Sequence, residues 1–263
     1  MKDLVVRQFV SSDELASGIA DQLAHTIVGA LTARGVAHIV LTGGRIGTAC
    51  LGALREHPLC ADIPWDGVEF WWSDERFLPT GDPDRNDTGA YQALLNHYPI
   101  PAQNIHPMPN ADDTTTIEQG AAEYWTHISA AFGEEIAFDV CLLGVGEDAH
   151  VASLFPSFEA VTVSTPGVLA IRNSPKSPPE RITFTRPLIE RSRQVWLLAS
   201  GSAKADAVHS IVTMSDEVVA PASNVHGSMR TVLFADLDAA VRIRPDDDTS
   251  YPDDDEYLSR EYS

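Results

Sequence analysis

The sequence predicts an α/β fold with a mostly parallel sheet and helices on both faces. Three observations carry that prediction. Short apolar runs alternate with helical patterns over nearly the whole chain, the order expected of strands joined by crossover helices. The strand-like runs are almost continuously apolar, as in Ala37-His38-Ile39-Val40-Leu41, which suits strands buried on both faces. No internal repeat and no Gly/Ser-rich linker divides the chain, so residues 1–244 read as a single domain.

The elements follow in order. Leu15, Ile19, Leu23, Ile27 and Leu31 recur every four residues behind Ser11-Ser12-Asp13, a helix start with a capping hydroxyl or carboxylate. The run 37–41 then reads as a buried strand closed by Gly43-Gly44, with a helical run beginning at Ile46. Further strands are predicted at 68–72, 138–143, 168–171, 181–185, 194–199 and 231–234. Helical patterns lie between most of them, notably over 202–212. The segment 245–263 lacks apolar periodicity and reads as an acidic, solvated extension.

Charge narrows the partners. The chain of 263 residues carries a net −20. Eight acids against Arg260 put −7 of this on 245–263, leaving −13 for the rest. Such a surface repels nucleic acid and anionic lipid, so neither is an expected partner. An anionic small substrate would need a local cationic pocket. The three cysteines, Cys50, Cys60 and Cys141, form no CxxC pair, which points to a reducing compartment rather than a disulfide framework or a zinc site. With no membrane-length apolar stretch and no signal-peptide core near the N-terminus, the expected location is the cytoplasm. Monomer and dimer remain equally compatible with the sequence.

In open α/β sheets, ligands bind outside the carboxyl ends of the strands. The segments there are Thr42-Gly43-Gly44-Arg45, Ser73-Asp74-Glu75-Arg76, Gly144 to His150, Asn173 to Lys176 and Gly201 to Lys204. They supply the missing cations: Arg45, Arg76, Lys176 and Lys204. Gly43-Gly44 before a helix can offer backbone N–H groups to a phosphate, although a tight turn explains two glycines equally well. Gly144-Val145-Gly146-Glu147-Asp148-Ala149 matches a relaxed dinucleotide fingerprint. Pro156 and Pro166 follow too soon for the crossover helix such a site needs, and the next strand ends without a ribose-binding acid. His150 stands at a strand's carboxyl end, two residues after Asp148, where a neutral imidazole can serve as a general base. Asp74-Glu75-Arg76 is either a capped turn with a salt bridge or an arginine clamp on an anion. There is no GxSxG elbow, no HExxH and no clustered metal-ligand set, so a water-based hydrolysis without a covalent serine is the chemistry that fits better.

With these loops in view, the chain resembles the 6-phosphogluconolactonases from about residue 5 to residue 240. The resemblance rests on LTGG at 41–44, WDGVEFWWSDERFLPTGDPDRN at 65–86, FDVCLLGVGEDAHVASLFP at 138–156, SPKSPPERITFTRPLI at 174–189 and VWLLASGSAKADAV at 195–208. It implies a Rossmann-like fold and metal-free, cofactor-free hydrolysis of 6-phospho-D-glucono-1,5-lactone to 6-phospho-D-gluconate in the oxidative pentose phosphate pathway. It implies catalytic roles for His150, Asp74 and Asp148, with His150 activating water. Gly43, Gly44, Arg76, Asn86, Lys176 and Arg181 are implied to bind the phosphorylated lactone, and Arg45, a guanidinium where the family has a hydroxyl, is a further candidate for its phosphate. Two loops depart from the family pattern. Gly43-Gly44-Arg45-Ile46-Gly47 stands where Gly-Gly-Ser-Thr-Pro is usual, and Ala149 and Val151 replace the glycine and threonine of Asp-Gly-His-Thr. If position 149 needs positive φ, alanine there costs about 1 kcal/mol or more. Two other readings share these residues: an aminosugar-phosphate deaminase/isomerase, and a sugar-phosphate sensor without catalysis. An Asp-Glu-Tyr setting is usual in the deaminases; Asp74-Glu75-Arg76 and the 174–189 block favour the lactonase.

Overall fold

Ser11 caps the first helix, its hydroxyl accepting from the Glu14 amide at 3.2 Å, and α1 (Ser12–Arg34) buries Leu15, Ile19, Leu23 and Ile27 along one stripe. The computed structural model containing it describes residues 4–114, 116–133 and 135–244. The expectation for the acidic segment therefore lies outside the described residues.

Six strands form an all-parallel sheet in the order β1 (Leu4–Phe9), β9 (Arg230–Asp236), β8 (Ser192–Ala199), β5 (Phe138–Gly144), β2 (Ala37–Leu41), β3 (Val68–Trp72). The central strands are buried along nearly their whole length, as their unbroken apolar runs predict. Strand β1 escapes the sequence reading because it lies at the sheet edge, where Arg7 and Gln8 interrupt the apolar run.

Two predicted strands leave this sheet. β6 (Val168–Ile171) and β7 (Arg181–Phe184) pair antiparallel with each other, and β7 pairs antiparallel with β4 (Asp74–Arg76). Residues 74–76, expected as a loop after a strand, thus form a short strand of a second, three-stranded sheet. Three charged residues carry no alternation signal, so only the pairing with β7 reveals them. In that register Arg76 faces Arg181 and Asp74 faces Thr183.

The parallel order reverses direction between β5 and β2, and the loops leaving those strands open a crevice at their carboxyl ends. Helix α2 (Gly44–Arg55) starts there. Helix α3 (Asn86–Ala93) follows β4, α4 (Ile117–Phe132) precedes β5, and α6 (Ala205–Val212) follows β8 through a short 3-10 turn at Ser202–Lys204. Two single-turn helices, α5 (Arg186–Ile189) and α7 (Leu237–Ala240), complete the set among the described residues. No helix among the described residues is long and apolar enough to cross a membrane.

Candidate active site

The crevice is a cleft of about 470 Å³, lined by Gly43, Gly44, Arg45, Asp74, Arg76, Asn86, His150, Lys176 and Arg181, with Lys204 and Ser200 from the end of β8. Of the ten residues expected at the site, nine line the cleft and Asp148 stands directly behind His150.

No helix follows the glycines of 144–146; the chain turns through 147–149 and returns, which disposes of a dinucleotide site. The Gly146 amide donates to the His150 carbonyl at 2.8 Å, and the Ala149 amide to the Gly146 carbonyl at 3.1 Å. To make this turn Ala149 adopts φ 59°, so alanine occupies the left-handed conformation that glycine tolerates better. Ala149 is also buried, leaving no room for branching at Cβ. Ala149→Val should therefore lose about 2 kcal/mol or more, a drop of about 4–8 °C in Tm, whereas Ala149→Gly should stay within about 1 kcal/mol. Thermal unfolding followed by circular dichroism checks both.

The turn places His150 Nδ1 2.5 Å from Asp148 Oδ1. Burial works against the Asp148 charge, but the hydrogen bond with His150 and the attraction of His150 and Lys176 prevail and hold this carboxyl well below the usual carboxylate range. An ionised carboxylate only accepts, so Nδ1 carries the proton and a neutral ring leaves Nε2 as acceptor. The ring packs against Phe155 with centroids 4.6 Å apart, which fixes its orientation.

Asp74 is buried. Its Oδ2 accepts from the Ser153 hydroxyl at 2.7 Å, and Asn86 Nδ2 donates to its carbonyl oxygen at 2.9 Å and to Oδ1 at 3.3 Å. Asn86 Oδ1 is buried without a partner among the described residues and lies against Gly43, where an added Cβ would stand 1.8 Å from it. Gly43 is thus required by the close approach of Asn86. It also precedes a helix whose first turn has no side-chain cap and no acid, so that turn's N–H groups are open at the cleft.

The cations differ in how they are held. Arg76 donates through Nη1 to the Asp84 carbonyl. Arg181 lines the cleft, but Nε donates to the Pro178 carbonyl at 3.1 Å and Nη2 to those of Lys176 and Ser177 at 3.2 and 3.1 Å. Its Nη1 lies 3.9 Å from Asp74 Oδ2. Expected as a substrate ligand, Arg181 is largely committed to shaping the loop that carries Lys176. Lys176 Nζ lies 3.4 Å from Asp148 Oδ1. Lys204 stands among the strand-end cations and within the 195–208 block but is not among the residues expected at the site; the turn after β8 brings it in. Burial, reinforced by the Lys176 and Arg45 charges, pushes the Lys204 ammonium below its ordinary value. Ser153, within the 138–156 block, is not among the residues expected at the site; its packing against Asp74 places it there.

Among the described residues no group of three or more His, Cys, Asp or Glu is arranged to hold a metal ion. The profile of the glucosamine-6-phosphate isomerases/6-phosphogluconolactonase family matches residues 10–233. The chain is 42% identical to a Streptomyces coelicolor 6-phosphogluconolactonase over 87% of this chain and 90% of that one. It is 43% identical to a Mycobacterium tuberculosis 6-phosphogluconolactonase over 89% and 96% of the two chains. The crystal structure of a Thermotoga maritima 6-phosphogluconolactonase superposes with TM-score 0.77 at 25% identity, covering 89% of this chain and 100% of that one. A monomeric glucosamine-6-phosphate deaminase shares the fold, with TM-score 0.75 at 22% identity over 90% and 99% of the two chains. Profile, long-range identity and fold agree that this chain belongs to the glucosamine-6-phosphate isomerase/6-phosphogluconolactonase family, among its 6-phosphogluconolactonases.

Proposed function

We propose that the protein hydrolyses 6-phospho-D-glucono-1,5-lactone to 6-phospho-D-gluconate, a step of the oxidative pentose phosphate pathway, in the cytoplasm and without a metal. The observation that carries this reading is the His150–Asp148 pair at 2.5 Å, set in a cleft rich in cations. A δ-lactone is an activated ester, so a water deprotonated by His150 Nε2 attacks C1 directly. The carbonyl π electrons move onto oxygen as the C1–O bond to water forms. The tetrahedral intermediate collapses with cleavage of the ring C–O bond, and His150 returns its proton to the leaving ring oxygen. Asp148 holds the ring in the required tautomer and favours the imidazolium that forms. Open N–H groups of the Gly43–Arg45 turn and cationic side chains offset the developing oxyanion.

Arg76, Lys176 and Arg45 are assigned to the 6-phosphate, with Lys204 beside them. Asp74 is assigned to the cleft wall, where it orients Asn86 and Ser153. Binding of the remote phosphate positions the ring over the base. Arg76→Ala should then reduce kcat/KM for the phosphorylated lactone by about 10–100-fold and for unphosphorylated gluconolactone by less than about threefold. Equal losses on both would place Arg76 at the lactone ring or in the fold instead.

The direct test of the reaction is an assay coupled to 6-phosphogluconate dehydrogenase, corrected for spontaneous ring opening. Rates indistinguishable from the spontaneous one would refute it. Because the mechanism uses only water and imidazole, dialysis against a chelator should leave kcat unchanged. A loss restored by zinc or magnesium would overturn the metal-free reading.

A further inference from the structure

Arg76 and Asn86 face the cleft, and both are fixed from behind by a charged cluster that does not line it. Glu75 is 1% exposed, Arg85 2% and Asp87 8%. Glu75 Oε1 accepts from the backbone amides of Arg76 at 2.8 Å and Asn86 at 2.7 Å, while Oε2 accepts from the Asp87 amide at 2.9 Å. Arg85 Nη1 donates to the carbonyls of Arg76 and Leu78 at 3.3 and 3.2 Å, and Nη2 to that of Met108 at 2.9 Å. Asp87 receives the rest of the fork, from Nε at 2.9 Å and from Nη2 at 2.6 Å. Arg85 Nη2 also lies 3.8 Å from Glu75 Oε2.

The peptide groups on both sides of Arg76 are therefore held from two ends of one cluster, the N–H by the Glu75 carboxyl and the C=O by the Arg85 guanidinium. Burial pushes the Glu75 carboxyl up to about 7 against the pull of Arg85. The side chain of Arg76 is held much less, for among the described residues its Nε is buried without a partner and only Nη1 has an acceptor. Where that guanidinium points follows from where its main chain is fixed.

A buried charged cluster is a weak way to gain stability, because apolar residues of similar volume generally do as well. Its advantage lies in direction: three N–H groups and three carbonyls are each given one position. We infer that Glu75, Arg85 and Asp87 form a positioning triad that sets the main chain of Arg76 and Asn86, and through Arg76 the grip on the substrate's phosphate. The inference rests on the proposed reading of Arg76 as a phosphate ligand.

The test is a double-mutant cycle between Glu75→Gln and Arg76→Ala. The amide keeps the shape of Glu75 but turns an NH₂ donor towards amides that need an acceptor. Glu75→Gln alone should raise KM for the phosphorylated lactone about tenfold and lower kcat by less than about threefold. Added to Arg76→Ala it should raise KM by less than about twofold, because the group through which it acts is already gone. Equal effects in both backgrounds, or no effect on KM in either, would overturn the inference by showing that the cluster serves the fold as a whole. If Glu75→Gln does not fold, Asp87→Asn, which weakens the Arg85 fork, enters the same cycle under the same criteria. The wild-type assay tests the reaction by itself. The Kd of 6-phosphogluconate, measured by calorimetry on the four proteins, reads the coupling without turnover, so reaction and triad can fail separately.

Discussion

His150→Asn is expected to fold normally and to lower kcat by about 10²–10⁴-fold, with KM little changed. Asparagine preserves much of the local geometry, since its amide nitrogen can still donate to Asp148. The amide has no basic nitrogen, however, so water must attack the lactone unassisted. The residual rate should come from the cations and open amides of the cleft, which continue to bind the phosphate and to favour the oxyanion. Stopped assays corrected for spontaneous opening, with circular dichroism to verify folding, check the result. A folded His150→Asn protein with near wild-type turnover would move the base elsewhere in the cleft.

Gly146→Ala should lower kcat by about 10²-fold without replacing a single reacting group. A Cβ at 146 would stand 1.9 Å from His150 Nδ1 and 2.6 Å from Asp148 Oδ1, so one side of the pair must move. The imidazole cannot simply swing away, because Phe155 packs against it and its own carbonyl accepts from the Gly146 amide. The added methyl should also cost about 1–3 kcal/mol of stability by overpacking. The decisive readout is kcat on protein that remains folded at the assay temperature. Retention of wild-type kcat would show that the His150–Asp148 contact is dispensable.

The two predictions mark how far the sequence can be read. His150 is legible because its signals are local: a continuous apolar strand, a glycine turn, and an imidazole at the strand's carboxyl end. The importance of Gly146 is not, since a second glycine in a turn looks like any other until the ring it accommodates is in place. Ala149 lies between these cases. A family pattern with glycine at that position raised the question of positive φ, and the observed 59° answers it.

The cations divide in the same manner. Arg45, Arg76 and Lys176 stand in strand-end segments, which the α/β topology alone directs to one side of the sheet. Arg181 sits at the start of a strand, and the sequence offered no means of seeing that three loop carbonyls occupy its donors. Nothing in the sequence marks Glu75 and Arg85 as buried, yet they are among the most buried residues of the molecule. Burial of a charge depends on partners brought from elsewhere, and no local pattern records it.

By itself the sequence determined five strands of the parallel core, the side of the sheet on which the cleft opens, and most of the groups that line it. These follow from covalent periodicity: an apolar run of strand length must be buried on both faces, and its polar continuation must emerge at one end. Only the tertiary structure decided that 74–76 pairs with 181–184 in a second sheet, that Lys204 joins the cleft, and that Glu75, Arg85 and Asp87 stand behind Arg76. Each of these is a contact between segments distant in sequence or a burial such contacts create, and its geometry is set by the packing of the whole core.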